Sequence, residues 1–166
     1  MDYLLARGEK GDPSAKSLQS LVGSLLWIAR CTRPDIFFAV HKATRRKYKP
    51  TSKEWKTAKH IMRYLKMSKN LKLHLNGVGP TSEDVRIECW SDADFAADKA
   101  DRKSVSGCVL TMDGAVVLWL CKKQSGVSLS TMEAEFISAL QAGRELIGTK
   151  ELLNELRMQV RESVPM

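Results

Sequence analysis

No run of apolar residues in this chain approaches the roughly 20 that a membrane span needs. The longest, "AVVLWLC" at 115–121, has the length of a buried strand instead. The first residues, "MDYLLARGEKGDPS", lack the basic start and long apolar stretch of a secretory signal, so secretion is not expected. Four cysteines, Cys31, Cys89, Cys108 and Cys121, show neither CxxC spacing nor a His/Cys cluster, which argues against zinc and disulfides and for free thiols, buried in a reducing compartment. Internal repeats and low-complexity tracts are missing too, which leaves an ordinary globular composition: 166 residues, 43% apolar and 28% charged. That length suits one domain, or a domain with a small neighbour.

What is present is charge, unevenly placed. Residues 1–84 hold 17 Lys and Arg against 7 Asp and Glu, a net of +10, whereas residues 85–166 hold 10 against 12, a net of −2. A basic half joined to a slightly acidic half suggests that one part grips a polyanion.

The hydrophobic period changes along the chain. "SLQSLVGSLLWIAR" (17–30) has helical spacing. "TRPDIFFAVHKATRRKY" restarts a helix, with Pro34 suited to a first helical position and Asp35 beside the positive end of the dipole; Pro50 stops it. A third helix opens at Thr51 or Ser52, with Trp55, Ala58, Met62 and Leu65 as its apolar stripe. "NGVGP" (76–80) is the clearest break, and the boundary between a helical part, 1–80, and a second part, 81–166, is placed there. Beyond it, Val85, Ile87, Cys89 and Ala93 alternate with polar residues as in a strand. "SVSGCVLTM" and "AVVLWLCKK" flank the turn signal "DG" at 113–114, and "SGVSLS" can supply a further short strand. One long helix runs from Thr131 to about Arg157, with Phe136, Leu140, Ile147 and Leu153 among its apolar positions. "QVRESVPM" reads as an unstructured end.

Two features could carry chemistry. On the third helix Lys56, Lys59, Arg63 and Lys66 share one face, at steps of three, four and three. A solvated surface explains such a stripe; the neighbouring "HKATRRKYK", with Arg45 and Arg46, shifts the reading toward phosphate contact. The other feature is acidic. "ECWSDADFAADKADRK" (88–103) gathers five carboxylates on a basic chain. Asp98 and Asp101 fit turn hydrogen bonds. Asp92, within a strand and among apolar neighbours, is poorly placed for solvation and invites a cation. In "STMEAEF", Ser130 and Glu133 match a capping box. Glu135, beside a Phe136 expected to be buried, has no structural task and is the better candidate for a metal. A strand aspartate with a glutamate near a helix start can hold Mg²⁺ through oxygen ligands, and two such ions can serve phosphodiester cleavage. By spacing alone the pattern is suggestive only.

"SLVGSLLWIARCTRPDIFFAV", "AKHIMRYLK", "SDADFAAD", "DRKSVSG" and "LSTMEAEF" resemble, in order, the C-terminal part of copia-type retrotransposon Pol polyproteins. The resemblance implies an α+β fold: a basic helical segment like a reverse-transcriptase thumb or connection, then a truncated ribonuclease H-like mixed sheet with a long C-terminal helix. It implies that Asp92 and Glu135 correspond to two catalytic, metal-binding carboxylates, with Mg²⁺ or Mn²⁺ as cofactor and an RNA–DNA hybrid as partner. Ala97 stands where the family commonly has glycine, and Phe136 where it has tyrosine. The family's domain continues through a "CDN"-like strand and a "KHID"-like segment bearing two further aspartates, and no Asp follows Asp113 here. A polymerase "YVDD"-like motif is likewise missing.

Three functions follow as expectations. The first is hybrid-cleaving ribonuclease H-like activity from an incomplete ligand set. The second is a non-catalytic nucleic-acid-binding remnant that uses Arg45, Arg46, Lys56, Lys59, Arg63 and Lys66. The third is a decayed fragment without a selected role. An unpaired sheet edge would favour self-association. The compartment expected is the cytoplasm, or the nucleus if "RRKYK" (45–49) acts as an import patch.

Overall fold

Ala29 and Ile36, buried on either side of "CTRPD", mark where the chain turns back on itself. In the computed structural model, which describes residues 15–45, 51–75 and 84–161, helix α1 (Ala15–Cys31) ends there. A 3-10 turn (Pro34–Ile36) then leads into α2 (Phe37–Thr44), and α3 (Ser52–Met67) follows. Pro34 at the head of the turn supplies its fixed φ where no backbone donor is needed. Thr51 caps α3, and with Glu54 it forms a full capping box. The segment 46–50, with Arg46 and the expected stop at Pro50, lies outside the described residues.

These helices share one core. Leu18, Val22, Leu25 and Ala29 of α1 meet Ile36, Val40 and Ala43, and Ala58 and Ile61 of α3 close it. Trp55, Met62 and Leu65 pack against its rim. The buried member that the expected stripe omitted is Ile61. Arg33, only 8% exposed, ties the bend to the end of α3. Its guanidinium donates to both oxygens of Asp35 (2.9 and 2.7 Å) and to the carbonyl and Oγ of Ser68 (3.2 and 2.7 Å), with the Tyr64 ring 5.6 Å away.

The chain divides between Leu71 and Lys72 into two compact units; the "NGVGP" break lies outside the described residues. The second unit is built on a three-stranded antiparallel sheet, β2 (Ile87–Asp94), β3 (Val105–Met112) and β4 (Ala115–Lys123), with β3 central. The β3–β4 hairpin turns at Asp113–Gly114, both with positive φ (49° and 82°), as the "DG" signal requires. Helix α4 (Thr131–Glu155) lies on the sheet. A separate two-residue parallel ladder joins β1 (Asp84–Val85) to β5 (Gln159–Val160). The α+β arrangement expected from the sequence therefore holds.

Four expectations need correction. Residues 125–130 form a loop and not a strand: Ser128 turns inward there to hydrogen-bond Gln124. Gln159 and Val160 are not a loose end but pair with β1, and Arg161 N donates to Val85 O at 3.1 Å. "AVVLWLC" is an edge strand and only half-buried, with Val117 exposed. Finally, α4 sits rotated from its expected orientation. Ala134, Ser138, Ala142 and Leu153 are buried, whereas Phe136, Leu140 and Ile147 face solvent. Small side chains let the helix approach closely enough for Cys89 Sγ to reach Ala142 O at 3.8 Å. Free thiols are found as expected, although only Cys89 and Cys108 are buried; Cys121 is half-buried and Cys31 exposed.

Candidate functional site

Ser138 sets the geometry of the acidic site. Its hydroxyl, fully buried, donates to the Asp92 carbonyl at 2.6 Å and lies 3.2 Å from that of Gly107. The start of α4 is thereby fixed across the β2–β3 pair near its Asp94–Val105 end, where Asp92 opposes Gly107. Glu135 stands three residues before Ser138 and so shares its side of the helix. Ser130 Oγ caps the helix by accepting from Glu133 N at 3.1 Å, and the Glu133 carboxylate accepts from Leu129 N at 2.7 Å. Glu133 thus has the structural task its spacing indicates, one residue further back than a standard capping box.

Asp92, Asp94 and Glu135 are all solvent-exposed, and so is Phe136. The expectation that Asp92 is poorly solvated and that Glu135 abuts a buried ring does not hold. Among the described residues no group of three or more His, Cys, Asp or Glu side chains could hold a metal ion. The described residues therefore do not make up a complete Mg²⁺ or Mn²⁺ site, since hard divalent cations take several oxygen ligands.

Asp98 and Asp101 lie in the β2–β3 loop and do what turn residues do. Asp98 Oδ1 accepts from Ala100 N (3.0 Å), and Asp101 Oδ1 from Lys103 N (3.3 Å). Lys123 Nζ joins them, 2.6 Å from Asp98 and 2.7 Å from Asp101. The hydrogen bond from Lys123 holds the Asp101 carboxyl below its ordinary range. Burial pulls the lysine down, but the two carboxylates outweigh it and raise its pKa.

A polar network that the sequence did not disclose locks α4 to the sheet. Gln124, 2% exposed, donates to Ser106 Oγ (3.0 Å) and Ala134 O (2.9 Å) and accepts from Ser128 (2.9 Å). Nearby, Cys89 and Cys108 Sγ are 3.6 Å apart, and burial, with the neighbouring thiol, pushes Cys108 up to about 12. Such a thiol is inert at neutral pH.

In the helical unit, Lys56, Lys59, Arg63 and Lys66 are all exposed, opposite the buried Ala58 and Ile61. Lys59 stacks on Trp55 at 5.4 Å. Arg45, half-buried at the C-cap of α2, is differently placed. No helix is long and apolar enough to cross a membrane among the described residues.

Over 156 residues, 94% of its length, the chain is 38% identical to the retrovirus-related Pol polyprotein from transposon TNT 1-94 of Nicotiana tabacum, and it is 33% identical over 142 residues to that from transposon RE1 of Arabidopsis thaliana. The chain belongs to the copia-type retrotransposon Pol polyproteins. It spans only about a tenth of these relatives, 11% and 9% of their lengths. The same Pol-type stretch is also similar to secreted RxLR effector protein 161 of Plasmopara viticola, at 31% identity over 128 residues, and there it accounts for 87% of the protein. No family model matches the chain, and no solved structure matches it.

Proposed function

We propose that this Pol-derived chain grips the phosphate backbone of nucleic acid, with an RNA–DNA hybrid as the natural partner, through the basic face of α3. Asp92 and Glu135 then stand as part of a ribonuclease H-like site that the described residues do not complete. The observation that carries the reading is the exposure of Lys56, Lys59, Arg63 and Lys66 on one helix face, opposite the buried Ala58 and Ile61. Cations so placed reach successive phosphates without disturbing the core. Similarity to Pol polyproteins supports the choice of partner. A divalent cation would be held by hard oxygen ligands such as Asp92 and Glu135; without a third ligand among the described residues, no cleavage step is assigned to this chain.

The test is binding of a labelled RNA–DNA hybrid as salt rises from 50 to 200 mM. Four phosphate contacts predict a loss of roughly a hundredfold. Replacing all four cations by Gln should flatten most of that dependence, and wild-type affinity that does not change with salt would overturn the reading. Incubation in Mg²⁺ or Mn²⁺, with Asp92→Asn and Glu135→Gln as controls, tests the nuclease reading separately. Cleavage lost in both controls would establish hydrolysis and an unassigned carboxylate; no cleavage by folded protein leaves a binding module. Self-association through the edges of β2 and β4, which no further strand covers among the described residues, belongs to the same reading, with sedimentation across a range of concentrations as its check. Both the cytoplasm and the nucleus would present such a partner.

A further inference from the structure

The stretch "FAADKADRKS" (95–104) holds two acids and three bases, and the structure sorts them. Both acids are consumed within the protein. Asp98 and Asp101 accept from loop backbone with one oxygen each and bind Lys123 with the other. Asp98 N donates to Lys103 O (3.1 Å), Arg102 N to Asp98 O (2.7 Å) and Ala96 N to the buried Ser104 Oγ (3.1 Å). The loop is therefore cross-braced from three sides. The bases point elsewhere. Lys99 and Arg102 are exposed and Lys103 is half-buried, and none takes part in an ion pair among the described residues. Lys122, exposed on β4 and equally unpaired, lies across β3 from Ala93, one residue from Asp92 along β2. Arg102 has a φ of 59°, a left-handed conformation that a non-glycine residue adopts at a cost.

We propose that this loop is a second phosphate-binding surface, in which Arg102, Lys99 and Lys122 hold the backbone of the same nucleic acid at the Asp92 end of the sheet. This rests on the nucleic-acid reading above and adds to it a contact in the second unit. The carboxylates of Asp98 and Asp101 are spent on Lys123 and on backbone N–H groups, which leaves Lys99 and Arg102 as the exposed charges of the loop without an ion pair among the described residues. A braced loop loses little conformational entropy when it binds. Contacts to phosphate carry no sequence information, so the surface should accept any sequence.

The experiment uses the full chain and a labelled RNA–DNA hybrid titrated at several KCl concentrations. Arg102→Gly removes the charge and suits the positive φ, so the loop keeps its shape; Lys122→Gln removes the second cation. The double variant should lower the slope of log affinity against log salt by about 2, with the same loss on hybrids of unrelated sequence. Lys123→Met leaves Arg102, Lys99 and Lys122 in place but releases the brace, and it should weaken binding as well. Unchanged slope and affinity in the double variant, while the α3 Gln variant loses binding, would overturn this proposal and leave the first reading standing. Absence of binding by the wild-type chain would overturn both.

Discussion

At Asp35 both carboxylate oxygens accept from Arg33, and that hydrogen-bonded pairing holds the carboxyl below its usual range. A carboxyl depressed in the folded state adds stability above its unfolded pKa of about 4, and the contribution is lost as pH falls through the folded value. Urea unfolding of the helical unit should therefore show wild type weakening below pH 4, whereas Asp35→Asn is already weaker at pH 7 and loses less on acidification. Asp35→Ala should cost about 2 kcal/mol at pH 7, the range for hydrogen bonds to charged groups. The sequence placed Asp35 at a helix start but gave no sign of Arg33 reaching Ser68, 35 residues on. Local spacing does not report such a contact. The division of tasks between Glu133 and Glu135 was legible because capping has a fixed three-residue spacing. Gln124 was not: one amide in the polar run "KKQSG" looks like surface until the fold closes over it.

Among the elements, α4 shows where pattern reading misleads. Its large apolar residues suggest a buried face through Phe136, Leu140 and Ile147, yet the sheet accepts the side carrying Ala134, Ser138 and Ala142. Close packing over Cys89 favours small residues, and volume, not hydrophobicity alone, chose the orientation. Two substitutions separate these accounts by chemical denaturation. Phe136→Ser should change stability by less than about 0.5 kcal/mol, as at an exposed position. Ala142→Leu should cost about 1–3 kcal/mol by overpacking. Ser138→Ala should cost about 1 kcal/mol, the usual worth of a buried hydrogen bond. By contrast, the β3–β4 hairpin and the start of α3 were readable in full, since "DG" and Thr51 with Glu54 act within a few residues.

At the scale of the whole chain, two units with separate cores should melt separately, giving two transitions in calorimetry where a single domain would give one. Residues 1–71, the helical unit, hold 16 Lys and Arg against 5 Asp and Glu, a net of +11, and the remainder holds 11 against 14, a net of −3. Repulsion within a strongly positive unit opposes its compact state, and counterions relieve it. Added salt should therefore raise the melting temperature of the helical unit and leave the other nearly unchanged. The same ions would compete for the exposed face of α3, so the condition expected to strip the chain from a polyanion is the one in which its helices should be most secure. Release in salt, on the proposed reading, would be a displacement of one set of counterions by another, and not a failure of the fold.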